Sequence, residues 1–520
     1  MNWEQPYAAA RSPVCADNVV ATSQPLAVQA GLAALGRGGN AVDAALAAAI
    51  TLTVVEPNNN GLGSDAFAIL WDGQQLVGLN ASGRAPALMT LDRYAGREQM
   101  PNRGWDAVTV PGAVSAWVAL SDRYGRLPFA DLFDAAIGYA ENGFQVGPKT
   151  AYYWKLAERM YADFPDFAAH FLPAPRAGER FWRPDLARSL KAIAASRGAD
   201  FYEGSLARRM AEASQAAGGP LRATDLAAHQ ADWVMPIAQP YGRVSLHEIP
   251  PNGQGLAAQI ALAILAHDGP AGFDDPAGVH RQLEAMKIAI RAAFQHFADP
   301  QAMRLAPAEL LEPGSIARAA ASIGERAGAL PPVALPVGHD TVYLCAADAD
   351  GMMVSFIQSN YQGFGSGVVI PGTGIALQNR GYGFSLDPDH PNCVAPGKRP
   401  FHTIIPGFVT EGGTPRLAFG VMGGHMQHQG HFQMVQRLFD HGENPQAASD
   451  APRWHVFPDF SVGLERGYPQ AVAEGLRARG HAVRYVHEEH IFGGAQLILR
   501  TDHGYVAGSD HRKEGQAAGF

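Results

Sequence analysis

The feature that most constrains the fold of this chain is an abrupt change of character at Thr341. The segment before it, Gly324–Asp340, reads GERAGALPPVALPVGHD, and its three prolines predict an exposed linker. The residues after it, Thr341–Ala347, read TVYLCAA and predict a strand, and a turn then leads into a second strand, MMVSFIQS. The chain therefore joins a helix-rich and a strand-rich part, which can build one layered core.

Helices dominate the part before the linker. Two helices are predicted near the N-terminus, the first capped by Ser23 and the second by Asn40, with Asp43 at its positive end. A hairpin signal centred on Asp72-Gly73 follows them. The region from about residue 110 to residue 330 is predicted to be mainly helical, interrupted by the Pro/Gly-rich element IPPNGQG at Ile249–Gly255.

Composition excludes several classes of function. The net charge of -9, without a block of Lys or Arg, argues against nucleic acid or an anionic membrane as a partner. The three cysteines form no CxxC pair, which argues against a disulfide framework and a thiolate zinc site. The first fifteen residues do not resemble a secretory signal, and no apolar run is long enough to span a bilayer. We expect a soluble cytoplasmic protein.

Many segments of the chain resemble one known family. GHDTVYLCAADADG around Thr341, followed by SNYQGFGSG, is similar to the processing and nucleophile region of the γ-glutamyltranspeptidase family of N-terminal nucleophile hydrolases. The resemblance extends in the family's order over nearly the whole chain, through GGNAVDAALAAAITLTVVEPNNNGLGSDAF, VPGAVSAW, PPNGQG, HRQLEAMKIA, GKRPFHTIIP, GVMGGHMQHQGH, PRWHV and GSDHRKEGQAAG.

The resemblance implies a fold and a maturation step. The expected fold is of the α/β (α+β) class, a four-layer αββα sandwich. Cleavage between Asp340 and Thr341 would give a large fragment, residues 1–340, and a small fragment, residues 341–520, which stay together as one catalytic unit. Cleavage would also give Thr341 a free α-amine, a base with a reference pKa near 8 that can activate its own hydroxyl. No cofactor is expected.

Further site residues follow from matching positions. Ser359 stands where the family usually has a threonine that hydrogen-bonds the nucleophile. The pair Gly423-Gly424 matches the glycines whose N–H groups form the oxyanion hole, where glycine permits close approach. Without the resemblance, the strand threonine Thr341 and this Gly-Gly pair would be read as ordinary strand and turn residues.

The positions that bind glutamate in the family have changed. The family's arginine for the substrate α-carboxylate aligns with Ser82, although Arg84 is two residues away. Tyr361 replaces an asparagine and Arg380 a glutamine. Gly383 stands in place of the aspartate that holds the α-amine. His402 and Thr403 replace paired serines, and they complete the predicted substrate site together with His425, which follows Gly424.

Glutamyl specificity should therefore weaken. A carboxylate can still meet Arg84 or Arg380, for which structural ion pairing is the alternative role, but the partner for an ammonium is lost at Gly383. His425, His428 and His431 could in principle bind a metal. No carboxylate or cysteine completes a ligand motif, so no metal is expected.

Three hypotheses follow for the function. The family default is an autoprocessed γ-glutamyltransferase-like amidohydrolase that cleaves γ-glutamyl amides such as glutathione through an acyl-enzyme on Thr341. The alternative within the family is a cephalosporin-acylase-like or small dicarboxylate-monoamide hydrolase of the oxamate type. A hypothesis of another class is an unprocessed homologue that binds without turnover. The expected partners are a small amide substrate and the other fragment of the chain, and a homodimer of cleaved heterodimers is a further expectation.

Overall fold

The computed structural model describes residues 3, 10–331, 333 and 340–520, and of Asp340 it describes only the backbone. The described residues form twenty-one strands: β1 Val14–Ala16, β2 Val19–Thr22, β3 Asp65–Trp71, β4 Leu76–Asn80, β5 Phe144–Gln145, β6 Arg180–Phe181, β7 Asp232–Val234, β8 Ile237–Tyr241, β9 Val244–Glu248, β10 Asp340–Ala347, β11 Met353–Tyr361, β12 Val369–Ile370, β13 Ile375–Ala376, β14 Gly407–Glu411, β15 Thr414–Met422, β16 Trp454–Val456, β17 Val462–Glu465, β18 Val483–Val486, β19 Gly494–Thr501, β20 Gly504–Ser509 and β21 Gln516–Gly519.

The same residues form seventeen α-helices: α1 Pro25–Gly36, α2 Ala41–Val55, α3 Ala113–Tyr124, α4 Asp134–Asn142, α5 Pro148–Met160, α6 Pro165–Phe171, α7 Pro184–Ser196, α8 Ala199–Tyr202, α9 Ser205–Ala216, α10 Ala223–Ala227, α11 Gly255–Ala266, α12 Pro276–His296, α13 Pro307–Leu310, α14 Pro313–Ala321, α15 Met426–Phe439, α16 Pro445–Asp450 and α17 Gln470–Ala478. Short 3-10 helices span Leu91–Tyr94, Trp105–Ala107, Phe129–Phe133, Arg380–Gly383 and Glu489–Phe492.

Two seven-stranded sheets form the centre of the molecule. Sheet I has the strand order β21-β2-β10-β11-β3-β4-β7, and sheet II has the order β1-β20-β19-β15-β14-β9-β8. Every neighbouring pair in both sheets is antiparallel. The small sheets are β12-β13, β16-β17-β18 and β5-β6.

Apolar side chains on both faces of each sheet define four layers. Phe67 and Tyr343 of sheet I pack with Phe408 and Ile498 of sheet II in a core between the sheets. The outer face of sheet I packs against helices that include α1, α2 and α3. The outer face of sheet II packs against α11, α12 and α15. This arrangement confirms the predicted αββα sandwich. Among the described residues, no helix is both long and apolar enough to cross a membrane.

The N-terminal helices show one correct and one wrong prediction of a cap. Asn40 caps α2 as predicted, since its side chain accepts from backbone N–H groups of the first turn and Asp43 accepts from the Asn40 N–H at 3.0 Å. All of α2 is buried, and the small apolar residues on all its sides allow this close packing. Ser23 does not cap α1. Gln24 takes that position, and the Ser23 hydroxyl instead donates to the buried Glu56 carboxylate at 2.5 Å.

The sequence prediction of a mainly helical middle region missed five strands, the small hairpin β5-β6 and three strands of the large sheets. β7 extends sheet I at one edge, and the hairpin β8-β9 extends sheet II. The signal was present, because β9 alternates buried and half-buried residues and Gly242 supplies the positive φ of 55° in the turn before it. Of the predicted linker, residues 324–331, Val333 and the backbone of Asp340 lie within the described residues; residues 324–331 run along the surface, and Asp340 opens β10.

Candidate active site

The strand pair that carries Thr341 is irregular at that residue. β10 and β11 shift register between Asp340 and Val342, so that Thr341 lies opposite two residues of β11, Ser359 and Asn360. Such a bulge re-aims side chains and is common beside active sites. Here it turns the Thr341 side chain towards Ser359, as the hydrogen bond between the two hydroxyls shows.

Ser359 and Gln427 contact the Thr341 hydroxyl. Thr341 Oγ1 donates to Ser359 Oγ at 3.1 Å, and Ser359 Oγ also accepts the backbone N–H of Tyr361 at 2.8 Å. Gln427 Nε2 points at Thr341 Oγ1 from 3.5 Å, while its amide oxygen accepts the Ile405 N–H at 3.0 Å. Tyr361 has a φ of 81°, which is strained for a residue other than glycine. The site therefore brings Thr341 and Ser359 together as predicted, and it adds Gln427.

The glycine pair lies in the turn between β15 and α15. Gly423 has a φ of 127° and Gly424 a φ of 59°. A Cβ on Gly423 would lie 2.9 Å from the Gly493 Cα, so no side chain fits there. Gln427 belongs to the first turn of α15 and reaches Thr341, which places this turn beside the nucleophile candidate. Backbone N–H groups held in such a turn can stabilise an oxyanion.

Arg380 is a buried cation with an unpaired edge. Its Nη1 donates to Thr403 Oγ1 at 2.9 Å, and its Cζ lies 4.5 Å from the centre of the Tyr361 ring. Its side chain is 1% exposed, yet Nε and Nη2 have no hydrogen-bond partner among the described residues. Burial lowers the pKa of Arg380 to about 10, which leaves it charged at neutral pH. Nε and Nη2 together form the side of a guanidinium that binds a carboxylate through two parallel hydrogen bonds.

A buried carboxyl group that sequence reasoning missed lies near Arg380. Asp65 Oδ2 contacts His402 Nε2 at 3.1 Å, and Oδ1 accepts the N–H groups of Gly83 and Gly112, each at 3.1 Å. Burial raises the pKa of Asp65 to about 7, although the charge of Arg380 and the two N–H groups lower it. Burial, with the charge of Arg380, holds the pKa of His402 well below its usual value, so His402 is neutral and donates to Asp65.

The other predicted arginine has a different environment. Arg84 Nη2 lies 3.4 Å from Asp232 Oδ2, and Arg84 Nη1 lies 3.6 Å from Asp299 Oδ2. Its side chain is 38% exposed. The structure thus brings Arg380 to Tyr361 and Thr403, whereas it places Arg84 in the ion pairs that were its alternative role.

The three histidines after the glycine pair point to separate partners. The His425 ring stacks on Phe401 at 6.1 Å between ring centres. His428 Nδ1 contacts Gln254 Oε1 at 2.9 Å, and His431 Nδ1 contacts Glu248 Oε1 at 2.6 Å. These contacts give the three imidazoles no common centre.

Another group of side chains has the composition of a metal site. His280, Glu284 and His481 bring their ligand atoms within 4.8 Å of one another. The Lys287 ammonium already occupies this group, because Nζ donates to Glu284 Oε1 at 2.9 Å and to His481 Nδ1 at 3.0 Å. A cation in this place fits a buried hydrogen-bond network better than a metal centre.

A cavity of about 280 Å³ lies beside the Arg380–Gly383 turn. Its wall includes five aromatic side chains, those of Phe294, Phe297, Tyr382, Phe384 and Phe401. Gly383 also lines it, and a Cβ there would lie 2.6 Å from the Phe401 carbonyl oxygen. The backbone at this position therefore leaves no room for the aspartate that the family carries.

Comparison with known proteins agrees with this geometry. Residues 27–520 match the family described as gamma-glutamyltranspeptidase. The chain is 37% identical to the glutathione hydrolase-like proenzyme of Bacillus subtilis, over 98% of this chain and 100% of the relative. It is 38% identical to the oxamate amidohydrolase proenzyme of Klebsiella pneumoniae, over 95% of this chain and 97% of the relative.

Among solved structures, the crystal structure of cephalosporin acylase from Bacillus halodurans is similar throughout. It superimposes with a TM-score of 0.96 at 46% identity, covering 100% of this chain and 99% of the acylase. The fold and these full-length matches lead to the same assignment. The chain belongs to the gamma-glutamyltranspeptidase family and is an amide hydrolase of the N-terminal nucleophile type.

Proposed function

We propose that this chain is an autoprocessed hydrolase for amides whose acyl group ends in a carboxylate, such as the monoamides of short dicarboxylic acids. The observation that carries the substrate class is the unpaired edge of Arg380, a buried guanidinium whose Nε and Nη2 have no hydrogen-bond partner among the described residues. The nucleophile in this proposal is Thr341, and Gly423-Gly424 supply the oxyanion hole.

The same hydroxyl serves in both stages of the proposed mechanism. In maturation, Thr341 Oγ attacks the Asp340 carbonyl carbon, the C–N bond to Thr341 breaks, and its nitrogen takes up the hydroxyl proton. This step frees the α-amine of Thr341 and leaves Asp340 as an ester on its Oγ; water then hydrolyses the ester, which gives the carboxyl group of Asp340 and restores the Thr341 hydroxyl. In turnover, this amine accepts the hydroxyl proton while Oγ attacks the substrate amide. The leaving amine takes the proton, and water then cleaves the acyl-enzyme.

Arg380 supports an anionic acyl group for an energetic reason. Leaving a buried charged donor unpaired costs free energy, and a carboxylate on Nε and Nη2 removes that cost through charge-assisted hydrogen bonds. Thr403 and Tyr361 hold the guanidinium plane in place from two sides. The name of the Klebsiella relative, oxamate amidohydrolase, agrees with this class, because oxamate is the monoamide of oxalic acid.

A γ-glutamyl group remains the second candidate, supported by the relative named glutathione hydrolase-like. Its α-carboxylate suits Arg380, but its ammonium needs an anion. Gly383 offers no side chain, and Asp65 is already bound by His402 and two backbone N–H groups. The ammonium would therefore stay unpaired near a guanidinium.

A panel of amides with one shared leaving amine tests this choice. We expect kcat/KM for oxalyl, succinyl or glutaryl amides to exceed that of the γ-glutamyl amide by roughly 10- to 100-fold, because one buried charge is left unpaired in the second case. A hexanoyl amide of similar length controls for apolar contacts alone. A preference for the γ-glutamyl amide would reject the proposed acyl class, and equal rates with the hexanoyl amide would reject the role of Arg380.

Asp65 predicts a dependence of KM on pH. Below its pKa of about 7 the Asp65 carboxyl group is neutral, and the charge of Arg380 attracts only the substrate carboxylate. Above this pKa the Asp65 carboxylate partly neutralises Arg380 and weakens that attraction. The KM for a carboxylate-bearing amide should therefore rise between pH 6 and pH 8. The raised pKa also means that the folded state keeps a proton that the unfolded chain has lost, so the contribution of this group to stability falls as pH rises from about 4 to 7.

The Asp65→Asn variant separates this effect from other titrations. The amide oxygen can still accept the two backbone N–H groups, and the amide nitrogen can donate to His402 Nε2 once the imidazole proton moves to Nδ1, so we expect the fold to be preserved. We expect its KM to stay constant over the same pH range, as measured by initial rates with one substrate. A wild-type rise in KM that persists unchanged in Asp65→Asn would show that another group titrates.

A further inference from the structure

Gln254 is a buried amide that connects the two sides of the candidate site. It immediately precedes α11 in the segment IPPNGQG and is 1% exposed. Its Nε2 donates to the carbonyl oxygen of Thr403 at 2.6 Å and to that of Gly424 at 2.9 Å. Its backbone N–H donates to the His402 carbonyl oxygen at 3.1 Å. One residue therefore holds both the segment that orients Arg380 and the turn with the glycine pair.

His428 fixes the orientation of this amide. Since Nε2 faces two carbonyl oxygens, Oε1 must face His428 Nδ1, which lies 2.9 Å away. His428 then carries its proton on Nδ1 and donates to Gln254. Burial and the neighbouring histidines hold the pKa of His428 well below its usual value, so the ring stays neutral across the working range of pH. The donor that orients Gln254 is therefore always present.

The contact with Gly424 acts on the peptide plane next to the oxyanion hole. The Gly423 carbonyl accepts the Met426 N–H at 3.0 Å, and because the peptide is planar the Gly424 N–H points to the opposite side. The following plane, between Gly424 and His425, is held through its carbonyl by Gln254 and by the Gln427 N–H at 3.2 Å. Glycine lets these planes rotate easily, so external contacts must define their angle.

We propose that Gln254 is a positioning residue that sets the oxyanion-hole turn at a fixed distance from the acyl-binding segment 402–403. The inference rests on the proposed function, since it assumes that Gly423-Gly424 stabilise the oxyanion. A carboxylate held by Arg380 and an oxyanion held by the glycine pair are two ends of one short acyl group. Gln254 links the two sites that bind those ends. Loss of its hydrogen bonds should therefore weaken the stabilisation of the transition state more than the binding of the substrate.

The test compares two buried glutamines of the same region. Gln254→Met keeps the length of the side chain and removes its hydrogen bonds. Gln259→Met is the matched control, because Gln259 is fully buried in α11 and its Nε2 also donates to two carbonyl oxygens, those of Ile237 at 2.6 Å and Leu246 at 3.0 Å. The hydrogen bonds that Gln259 makes among the described residues go to β8 and β9, not to the turn with the glycine pair or to segment 402–403.

We expect Gln254→Met to lower kcat by roughly 10- to 100-fold and to change KM by less than about 3-fold, since a displaced oxyanion hole affects the transition state more than ground-state binding. Gln259→Met should lower Tm about as much as Gln254→Met does, but it should leave kcat within about 3-fold of the wild type. Gln254→Asn, whose amide is too short for both carbonyls, should give an intermediate kcat and serves if the methionine variant does not fold.

The outcomes separate the two proposals. Equal kcat values for Gln254→Met and Gln259→Met, with an active wild type, would overturn the positioning role and leave the proposed function intact. A fall in kcat that matches the loss of folded protein in both variants would also overturn it. A wild type that hydrolyses no amide of the panel would overturn the proposed function, and with it the inference.

Discussion

Thr341→Ala is expected to remain one chain of 520 residues, whereas the wild type should separate on a denaturing gel into fragments of 340 and 180 residues. The variant lacks the hydroxyl that would attack the Asp340 carbonyl, and it also lacks the free α-amine for turnover. Amide hydrolysis should fall by more than roughly 1,000-fold, because nucleophile and base are lost together. Intact mass measurement and N-terminal sequencing of the small fragment would locate the cut.

Two controls sharpen this result. Thr341→Ser keeps a hydroxyl and should still cut before residue 341. Thr410→Ala removes another buried strand hydroxyl, which contacts His247 at 2.8 Å in sheet II, and should mature like the wild type. Cleavage of Thr341→Ala at the same bond would reject Thr341 as the nucleophile. A wild-type chain that stays whole during long incubation would favour the unprocessed binding homologue.

Arg380→Met should mature normally and lose most of its activity on carboxylate-bearing amides. Methionine fills the space beside Tyr361 and removes both the charge and the unpaired Nε–Nη2 edge. We expect kcat/KM for these substrates to fall by roughly 10- to 100-fold, mainly through KM, and the preference over the hexanoyl amide to disappear. Arg380→Lys should recover only part of the loss, since an ammonium cannot form the two parallel hydrogen bonds.

Arg84→Met is the matched control, because sequence reasoning assigned the same role to both arginines. Arg84 is partly exposed and paired with Asp232 and Asp299, and such ion pairs contribute about 0 to 1 kcal/mol. The kcat/KM of Arg84→Met for carboxylate-bearing amides should stay within about 3-fold of the wild-type value. If the preference for a carboxylate disappears in Arg84→Met and survives in Arg380→Met, the acyl pocket has been assigned to the wrong arginine.

Local signals in the sequence predicted much of the fold. The Asn40 cap, the Asp72-Gly73 hairpin and the strand pair after the linker all depend on near neighbours in the chain, and the structure contains them. The hairpin β8-β9 was missed because a short edge hairpin gains most of its stability from pairing with β14, a distant strand. Ser23 failed as a cap because the buried Glu56, 33 residues away, competes for its hydroxyl.

The predictions for the candidate site came from residues within the family motifs. Residues that come together only in the tertiary structure were missed. The contacts of Thr341 with Ser359 and of Arg380 with Thr403 join positions that those motifs supplied. Asp65 and His402 are 337 residues apart and meet only in the folded structure, where β3 of sheet I packs against the segment that leads into β14 of sheet II. Nothing in the sequence distinguishes Gln254 and Gln427 from other glutamines. Only their hydrogen-bond partners in the folded structure indicate a role.

If the chain is cut before Thr341 as proposed, the order of strands in the two sheets also determines how the two fragments could come apart. β2, from the first 340 residues, lies between β21, which follows the proposed cut, and β10, of which all but Asp340 follows it. Further ladders cross the same boundary at β3-β11, β1-β20 and β9-β14. Separation of the fragments would require both sheets to open at once, so exchange of subunits between mature molecules can be no faster than global unfolding. The lifetime of the fragment pair is then the lifetime of the fold itself.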